Sequence, residues 1–394
     1  MKISFFIIKK NMQTIGILLA RSTYYQTIGF DLYEGLRSGL KHFGKNDIRI
    51  VTENIGFGAD KQQCYRSAEK LLLEENASVV IAYIGHRMAQ LLRPLFLAAN
   101  KMLIVLDAGA NLPQEWPTCP NIFYHSLHNS LGASLAAKQA TNDGYTSAGI
   151  VTGYYDGGYL HTYSISKGFE ETGGTISFNH ATGYKTEDFT IEPLKNHLEE
   201  FPNSALLSLF SGDFVQWYFE GIKSSFEGQN LPVYLPPFGF EEMMLSETDY
   251  PSNNVKGIAA WSKKINSSEN KVFLETITTA GRIPNLFSVL SWESAAITLK
   301  VLELIDEHKS NMSQIAIGLQ SFVFEGPRGK IYFDSKTNTS IAPLYNAKII
   351  ATNDGKCEVQ IESETTDVFE HFKKLTTQEL NSSTSAWYNS YACI

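Results

Sequence analysis

The sequence has no stretch dense in basic residues. Its 33 Lys and Arg are outnumbered by 41 Asp and Glu, giving a net charge of −8. Phosphate backbones are held by clustered cations, so this balance argues against nucleic acid as the partner. Long apolar runs are missing too: the longest near the start, Ile3 to Ile8 (ISFFII), falls far short of the roughly 20 residues a membrane span needs. Cysteine is scarce. Cys64, Cys119, Cys357 and Cys393 form no C-x-x-C pair, which removes zinc ribbons and dithiol redox motifs. Four free thiols are expected, with a Cys64–Cys119 disulfide as the alternative in an exported chain. There is no G-x-x-x-x-G-K-[ST] phosphate loop, no H-E-x-x-H and no G-x-S-x-G elbow. Gly56-Phe57-Gly58 lacks the third glycine of a dinucleotide fingerprint, and His125 and His128 have no evident third partner for a metal. Enzyme, metal and cofactor readings therefore have no residues behind them.

What is present is a repeated strand–loop–helix unit. The first runs from Gln13 to Gly44. Ile15, Ile17, Leu18 and Leu19 make the short apolar run of a buried parallel strand, and Arg21 to Thr27 breaks it. Phe30, Tyr33, Leu36, Leu40 and Phe43 then recur at helical spacing, and Gly44 sits where a left-handed stop is expected. Strands follow at 47–56, 77–85, 101–109 and 121–126, with helices at 60–75 (Asp60 as N-cap) and 87–99 between them. After a helix at 131–143 the pattern restarts, with strands at 147–155, 175–183, 205–212, 231–239 and 255–262 and helices at 160–172 and 214–227. Helices at about 268–280 and 286–308, a turn within 322–333 and a last strand at 341–352 complete the reading. The fold class is α/β, with two doubly wound parallel-sheet lobes in succession. The tail from Gln378 is polar and then aromatic, with Trp387, Tyr388 and Tyr391, and the pattern assigns it no place.

Four segments, in this order and spacing, resemble the type I periplasmic binding proteins, specifically the branched-chain amino-acid-binding receptors of ABC transporters. They are IGILLARSTYYQTIGFDLYEGLRSGL, SVVIAYIGHRMAQLLRPLFLAANKMLIVLDAGANLP, AGIVTGYYDGGYLHTYSISKGFEETGGTI and, most specific, FEGPRGKIYFD. The resemblance covers about residues 13–350. It implies a hinge of three crossings, near Ser126 to Asn129, Trp261 to Lys263 and Phe322 to Gly326. Lobe 1 would be 13–127 plus 263–322, lobe 2 128–262 plus 323–365, and 366–394 a C-terminal tail. The implied function is capture of a small organic ligand, an amino acid or related amide or carboxylate, between lobes that close by hinge bending. The implied partner is an ABC-transporter permease, with no cofactor, no metal, no nucleic acid and no membrane insertion.

Open α/β sheets bind ligands at loops beyond the carboxyl ends of their strands, which selects the candidate residues. In lobe 1 these are Tyr24, Tyr25, Gly85, His86, Arg87, Asp107, Ala108 and Gly109; in lobe 2 they are Tyr155, Asp156, Tyr159, Phe210, Asp213 and Phe238. Gly85 and Gly109 would let backbone amides approach a carboxylate, or they only make tight turns. Where amino-acid binders carry Ser or Thr after the third strand, this chain has Gly85-His86-Arg87, which weakens a plain amino acid as ligand. Arg87 either forks onto a carboxylate or stands solvated at a helix start. Asp107 and Asp213 either meet a ligand amine or cap a turn. The aromatic residues suit a ligand with a planar or apolar part. Family resemblance points to the periplasm. The start MKISFFIIKKN has lysines after a short apolar stretch and no small-residue cleavage site, so a cytoplasmic sensor on the same fold, acting through a regulatory protein, is the alternative.

Overall fold

A computed structural model describes residues 13–112, 118–378, 385 and 387–391. The first dozen residues, on which the choice of compartment turns, lie outside that range, as does Cys393. The first sheet opens with β1 (Thr14–Leu19), β2 (Arg49–Asn54), β3 (Val79–Tyr83), β4 (Met102–Asp107) and β5 (Ile122–Ser126), all paired in parallel. Every residue of β3, β4 and β5 is buried, as continuous apolar runs between two helical layers require. The second sheet takes β6 (Ser147–Thr152), β7 (Thr175–Ala181), β8 (Ala205–Leu209), β9 (Pro232–Leu235) and β10 (Asn254–Ala259), again in parallel.

The helices between them are α1 (Ile28–His42), α2 (Lys61–Leu73), α3 (His86–Ala99), α4 (Asn129–Asn142), α5 (His161–Glu170), α6 (Glu192–Glu200), α7 (Asp213–Ser225) and the single turn α8 (Glu242–Leu245). Asp60 caps α2 as expected, accepting from the amides of Gln62 and Gln63. The inward face of α1 is turned from the one its large apolar residues suggest. Phe30 is 69% exposed and Phe43 42%, while Leu32, Leu36 and Leu40 are buried. The cause is its neighbour α10 (Leu286–His308), which follows α9 (Ser268–Thr279). A Cβ on Gly35 would lie 2.5 Å from the Ser288 carbonyl oxygen, and one on Gly39 2.8 Å from the Ala295 Cβ. Two glycines, with no apolar bulk of their own, set the helix face by letting the backbones approach.

One expected boundary is corrected. After α11 (Met312–Gln320), the hairpin β11 (Phe324–Gly326) and β12 (Gly329–Asp334) leads through β13 (Thr339–Ile341) onto β5 of the first sheet. The third crossing therefore does not fall at Phe322 to Gly326. The chain reaches the second sheet only at β14 (Tyr345–Ala351), which pairs antiparallel with β10 and with β15 (Cys357–Glu364). The strand orders are β11-β12-β13-β5-β4-β3-β1-β2 and β15-β14-β10-β9-β8-β6-β7. The F-E-G-P-R-G turn reads as a second-lobe strand from its motif, but Arg328 anchors it to the first. Fully buried, Arg328 donates to Glu293 of α10 at 2.8 Å and to the Ser126 carbonyl at 2.9 Å. Glu293 also meets His125 at 2.9 Å, and Ser340 takes the other nitrogen of that ring at 2.9 Å. Burial works against the charge on Glu293, but Arg328 and His125 hold it ionised below the usual carboxylate range. Burial drives His125 the other way, below an ordinary histidine. A final helix, α12 (Val368–Thr377), packs Phe372 against His128 at the first crossing.

Candidate functional site

The site forms where the first-sheet loops after β1 and β3 face the second-sheet loops after β6, β8 and β9. The lobes touch. The amide of Gly212 donates to the Tyr25 hydroxyl at 2.7 Å, and the amide of Leu286 to the Glu241 carboxylate at 2.9 Å. Tyr24 packs edge-on to Phe214, 5.2 Å between centroids, and 6.1 Å from Tyr155.

The second-lobe wall is built on a short 3-10 turn, Asp156–Gly158. Asp156 is fully buried, and burial pushes its carboxyl up to about 7 against the hydrogen bonds from Tyr391 and Ser211. Its backbone carbonyl accepts from Nε2 of His161 at 2.7 Å, and burial takes that imidazole down to about 3, so it stays neutral. Tyr159 and Phe238 complete this wall. On the first-lobe side stand Tyr25, Tyr83, Arg87 and Phe287, with Phe287 4.8 Å from Tyr25 and 5.5 Å from Tyr83. The result is an aromatic chamber with a guanidinium at one wall and a carboxyl at the other.

The chamber contains the chain's own C-terminal segment. Tyr391 lies between the lobes, its hydroxyl on the Asp156 carboxylate and its carbonyl oxygen accepting from the Tyr83 hydroxyl at 2.9 Å. Its ring meets Phe238 at 4.6 Å, Tyr159 at 5.0 Å and His161 at 5.2 Å, each near perpendicular. Asn389 accepts from the Tyr159 hydroxyl at 3.2 Å. Tyr388 is held under two cations, Lys61 at 4.1 Å and Arg87 at 4.3 Å. Ser385 spans the cleft: its carbonyl accepts from Arg87 at 3.0 Å, and its hydroxyl donates to the Gly158 carbonyl at 3.1 Å.

Of the residues selected from sequence, Tyr25, Arg87, Asp156, Tyr159 and Phe238 thus converge on one chamber. Gly85 borders it, with the Asn389 carbonyl oxygen 3.2 Å from where a Cβ would be. Tyr24, Tyr155 and Asp213 stand at its mouth, Tyr155 6.0 Å from Trp387. Others lie elsewhere. Phe210 stacks on Tyr218 at 4.2 Å inside the second lobe's core. Asp107, Ala108 and Gly109 brace the first crossing. Asp107 holds Ser126 at 3.0 Å and His86 at 3.3 Å, and Ala108 accepts from the Asn129 amide at 3.2 Å. Burial opposes ionisation of Asp107, but His86 and these hydrogen bonds hold its carboxyl below the usual range. Gly109, at φ +72, leaves only 2.5 Å between a Cβ and the His128 amide nitrogen, so its use is the close passage of the crossing. His128 donates from Nε2 to the Ser340 carbonyl at 2.6 Å and is buried, which takes it down to about 4. Sequence reasoning missed Tyr83, His161 and Phe287. Tyr83 and Phe287 read as core of a strand and a helix, and nothing in their spacing marks them as cleft residues.

Cys64, Cys119 and Cys357 are buried free thiols, so the alternative Cys64–Cys119 disulfide is not formed. Among the described residues no cluster of His, Cys, Asp or Glu could hold a metal ion, and no helix is long and apolar enough to cross a membrane.

Two lobes, three crossings and an enclosed chamber between them define a two-lobed binding protein. The sequence family described as periplasmic binding protein matches residues 13–356, and the chain belongs to it. By family and fold it is a solute-binding protein. Among solved structures it is similar to an ABC transporter substrate-binding protein from Sphaerobacter thermophilus, with 18% identity, a TM-score of 0.76, and 90% of this chain and 98% of that one covered. A solute-binding protein of an ABC transporter from Rhodopseudomonas palustris BisB5, in complex with 3,4-dihydroxybenzoic acid, aligns at 16% identity and TM-score 0.73, covering 90% and 97%. A Streptococcus pneumoniae branched-chain amino acid transporter substrate-binding protein, in complex with isoleucine, aligns at 14% and 0.66, covering 89% and 99%. Among curated proteins no relative matches.

Proposed function

We propose that this protein captures a small organic acid with a planar or apolar body in the interlobe chamber, closes on it, and presents it to an ABC-transporter permease without making or breaking bonds. The observation that carries this reading is the chamber itself: Tyr25, Tyr83, Tyr159, Phe238 and Phe287 line it, with Arg87 at one wall and Asp156 at the other. Rings of this kind favour a flat ligand body. Arg87 and the N-terminus of α3, capped by Gly85 with no side-chain acceptor, suit a carboxylate. The benzoates and isoleucine in the similar structures are of this chemistry, and an aromatic amino acid or aromatic carboxylate fits both. The family's description supports a periplasmic site of action.

A thermal-shift screen of the full chain tests this, with aliphatic and aromatic amino acids, hydroxybenzoates and short amides as the panel. A solute held only by the folded state, at 100 times its dissociation constant, adds about 2.7 kcal/mol. Stabilisation by aromatic carboxylates or aromatic amino acids, lost in Arg87→Ala, supports the reading. Stabilisation by neutral amides alone contradicts it. Sequencing the mature N-terminus from the native cell tests the compartment: an intact Met1 or a start at Met12 would overturn export by a cleaved leader.

A further inference from the structure

The C-terminal segment fills the position that a solute needs. Its contacts come from both lobes, as a bound solute's would: Tyr83, Gly85 and Arg87 from the first, and Asp156, Gly158, Tyr159 and Phe238 from the second. Ser385, Asn389, Ser390 and Tyr391 are all buried there. The fit is built into the walls. A Cβ on Gly158 would lie 1.6 Å from Nε1 of Trp387, so the indole sits where only glycine leaves room. On the first lobe Gly85 is a tighter neighbour, a Cβ there lying 3.2 Å from the Asn389 carbonyl oxygen, while Gly58 is in ordinary contact range of the Ser390 hydroxyl at 3.5 Å. The innermost group is a phenol, ringed by Phe238, Tyr159 and His161, with its hydroxyl on a carboxylate.

We propose that the segment ending in Tyr391 is the chamber's resident occupant, that it withdraws when a solute enters, and that the pocket it vacates takes a ring bearing a hydrogen-bond donor opposite its attachment point, a para-hydroxyphenyl group. This rests on the chamber being the solute site. A chain whose competent state is populated only when the segment is out has its apparent affinity reduced by that fraction. Cutting the segment away should therefore tighten solute binding, and the freed chamber should accept the segment back.

The test compares the full chain with a variant ending at Gln378, using isothermal titration with 4-hydroxybenzoate, L-tyrosine and a synthetic peptide of residues 379–394. The peptide should bind the shortened chain saturably and the full chain at least tenfold more weakly. A peptide carrying Tyr391→Ala should lose at least tenfold on the shortened chain, and the phenolic solutes should bind that chain at least tenfold more tightly than they bind the full one. Equal solute affinity in both chains, with no peptide binding, would overturn the proposal and leave the chamber a solute site. Peptide binding with no solute from the panel would sustain the resident segment and overturn the solute reading instead. If the shortened chain does not fold, Tyr391→Ala and Gly158→Leu in the full chain serve. Both should raise phenolic affinity, and no change in either would overturn the proposal.

Discussion

Arg328 is the residue whose loss the structure prices most clearly. Its guanidinium is fully buried and supplies Glu293 with a charged partner at 2.8 Å, while its backbone carbonyl accepts from the Tyr345 hydroxyl at 2.8 Å. Replacing it in Arg328→Met keeps the volume and removes the charge. Glu293, 1% exposed, then keeps only His125 and the backbone amide of residue 328 at 3.2 Å, with no full positive charge beside it. Breaking a buried pair from one side costs about 3–5 kcal/mol, because an uncompensated charge stays inside. Set against a total stability of roughly 5–15 kcal/mol, this is a large fraction. With a urea dependence near about 3 kcal/mol/M, the midpoint should fall by roughly 1–2 M. Circular dichroism across a urea series measures it. The double variant Arg328→Met with Glu293→Leu removes both charges and should recover most of the loss. A fall of under about 0.3 M in the single variant, or a double variant less stable than the single, would refute the reasoning.

Three further outcomes follow. Gly35→Ala forces a methyl to 2.5 Å from the Ser288 carbonyl oxygen, so α1 and α10 must separate; overpacking of this kind costs about 1–3 kcal/mol, read as a lower urea midpoint. Asp107→Asn should lower stability by about 1–3 kcal/mol while leaving solute affinity within about threefold, because Asp107 braces the crossing, whereas Asp156→Asn should weaken a phenolic solute at least about tenfold; titration of both separates the roles. Acidification divides the buried groups by sign. His128 and His161 are lowered to about 4 and about 3, so the unfolded chain takes their protons first and their contribution, complete above about 6.5, is lost as pH falls. Asp156 and Glu241 are raised to about 7 by burial, so the folded chain takes those protons first and stability is gained as pH falls through 7. Each amounts to roughly 2 kcal/mol between pH 7 and 5, and the four nearly cancel. His128→Gln should therefore gain stability relative to the parent over that interval and Glu241→Gln should lose it; parallel urea midpoints in both variants would contradict these protonation states.

How much of this the sequence carried depends on whether the signal was local. The run Gln13 to Gly44 reads as strand, loop and helix, and the structure holds β1 at Thr14–Leu19 and α1 at Ile28–His42. Strand periodicity and glycine stops are local, so they survive: Gly144, Gly173 and Gly228 all have positive φ just past their helices. The inward face of α1 did not survive, because it is chosen by contact with α10, which lies some 250 residues away in sequence. The hairpin carrying Arg328 was assigned to the wrong sheet for the same reason: its partners, Ser126 and Glu293, are distant in the chain. The outer strand β15 and helices α6, α11 and α12 are short, and the sequence reading assigns them no element. In the site, Asp156 and Tyr159 stood out because they follow a buried strand. Tyr391 did not, since its place is set by Asp156, more than 230 residues earlier.

The central claim is that one ligand is gripped by both lobes at once. Amide hydrogen exchange in the chain ending at Gln378, with and without the best solute of the panel, measures this directly. Added solute should slow exchange together at Gly85 to Met88 on the first lobe and at Tyr155 to Tyr159 on the second. Slowing confined to one lobe, or to surfaces away from these two loops, would contradict it.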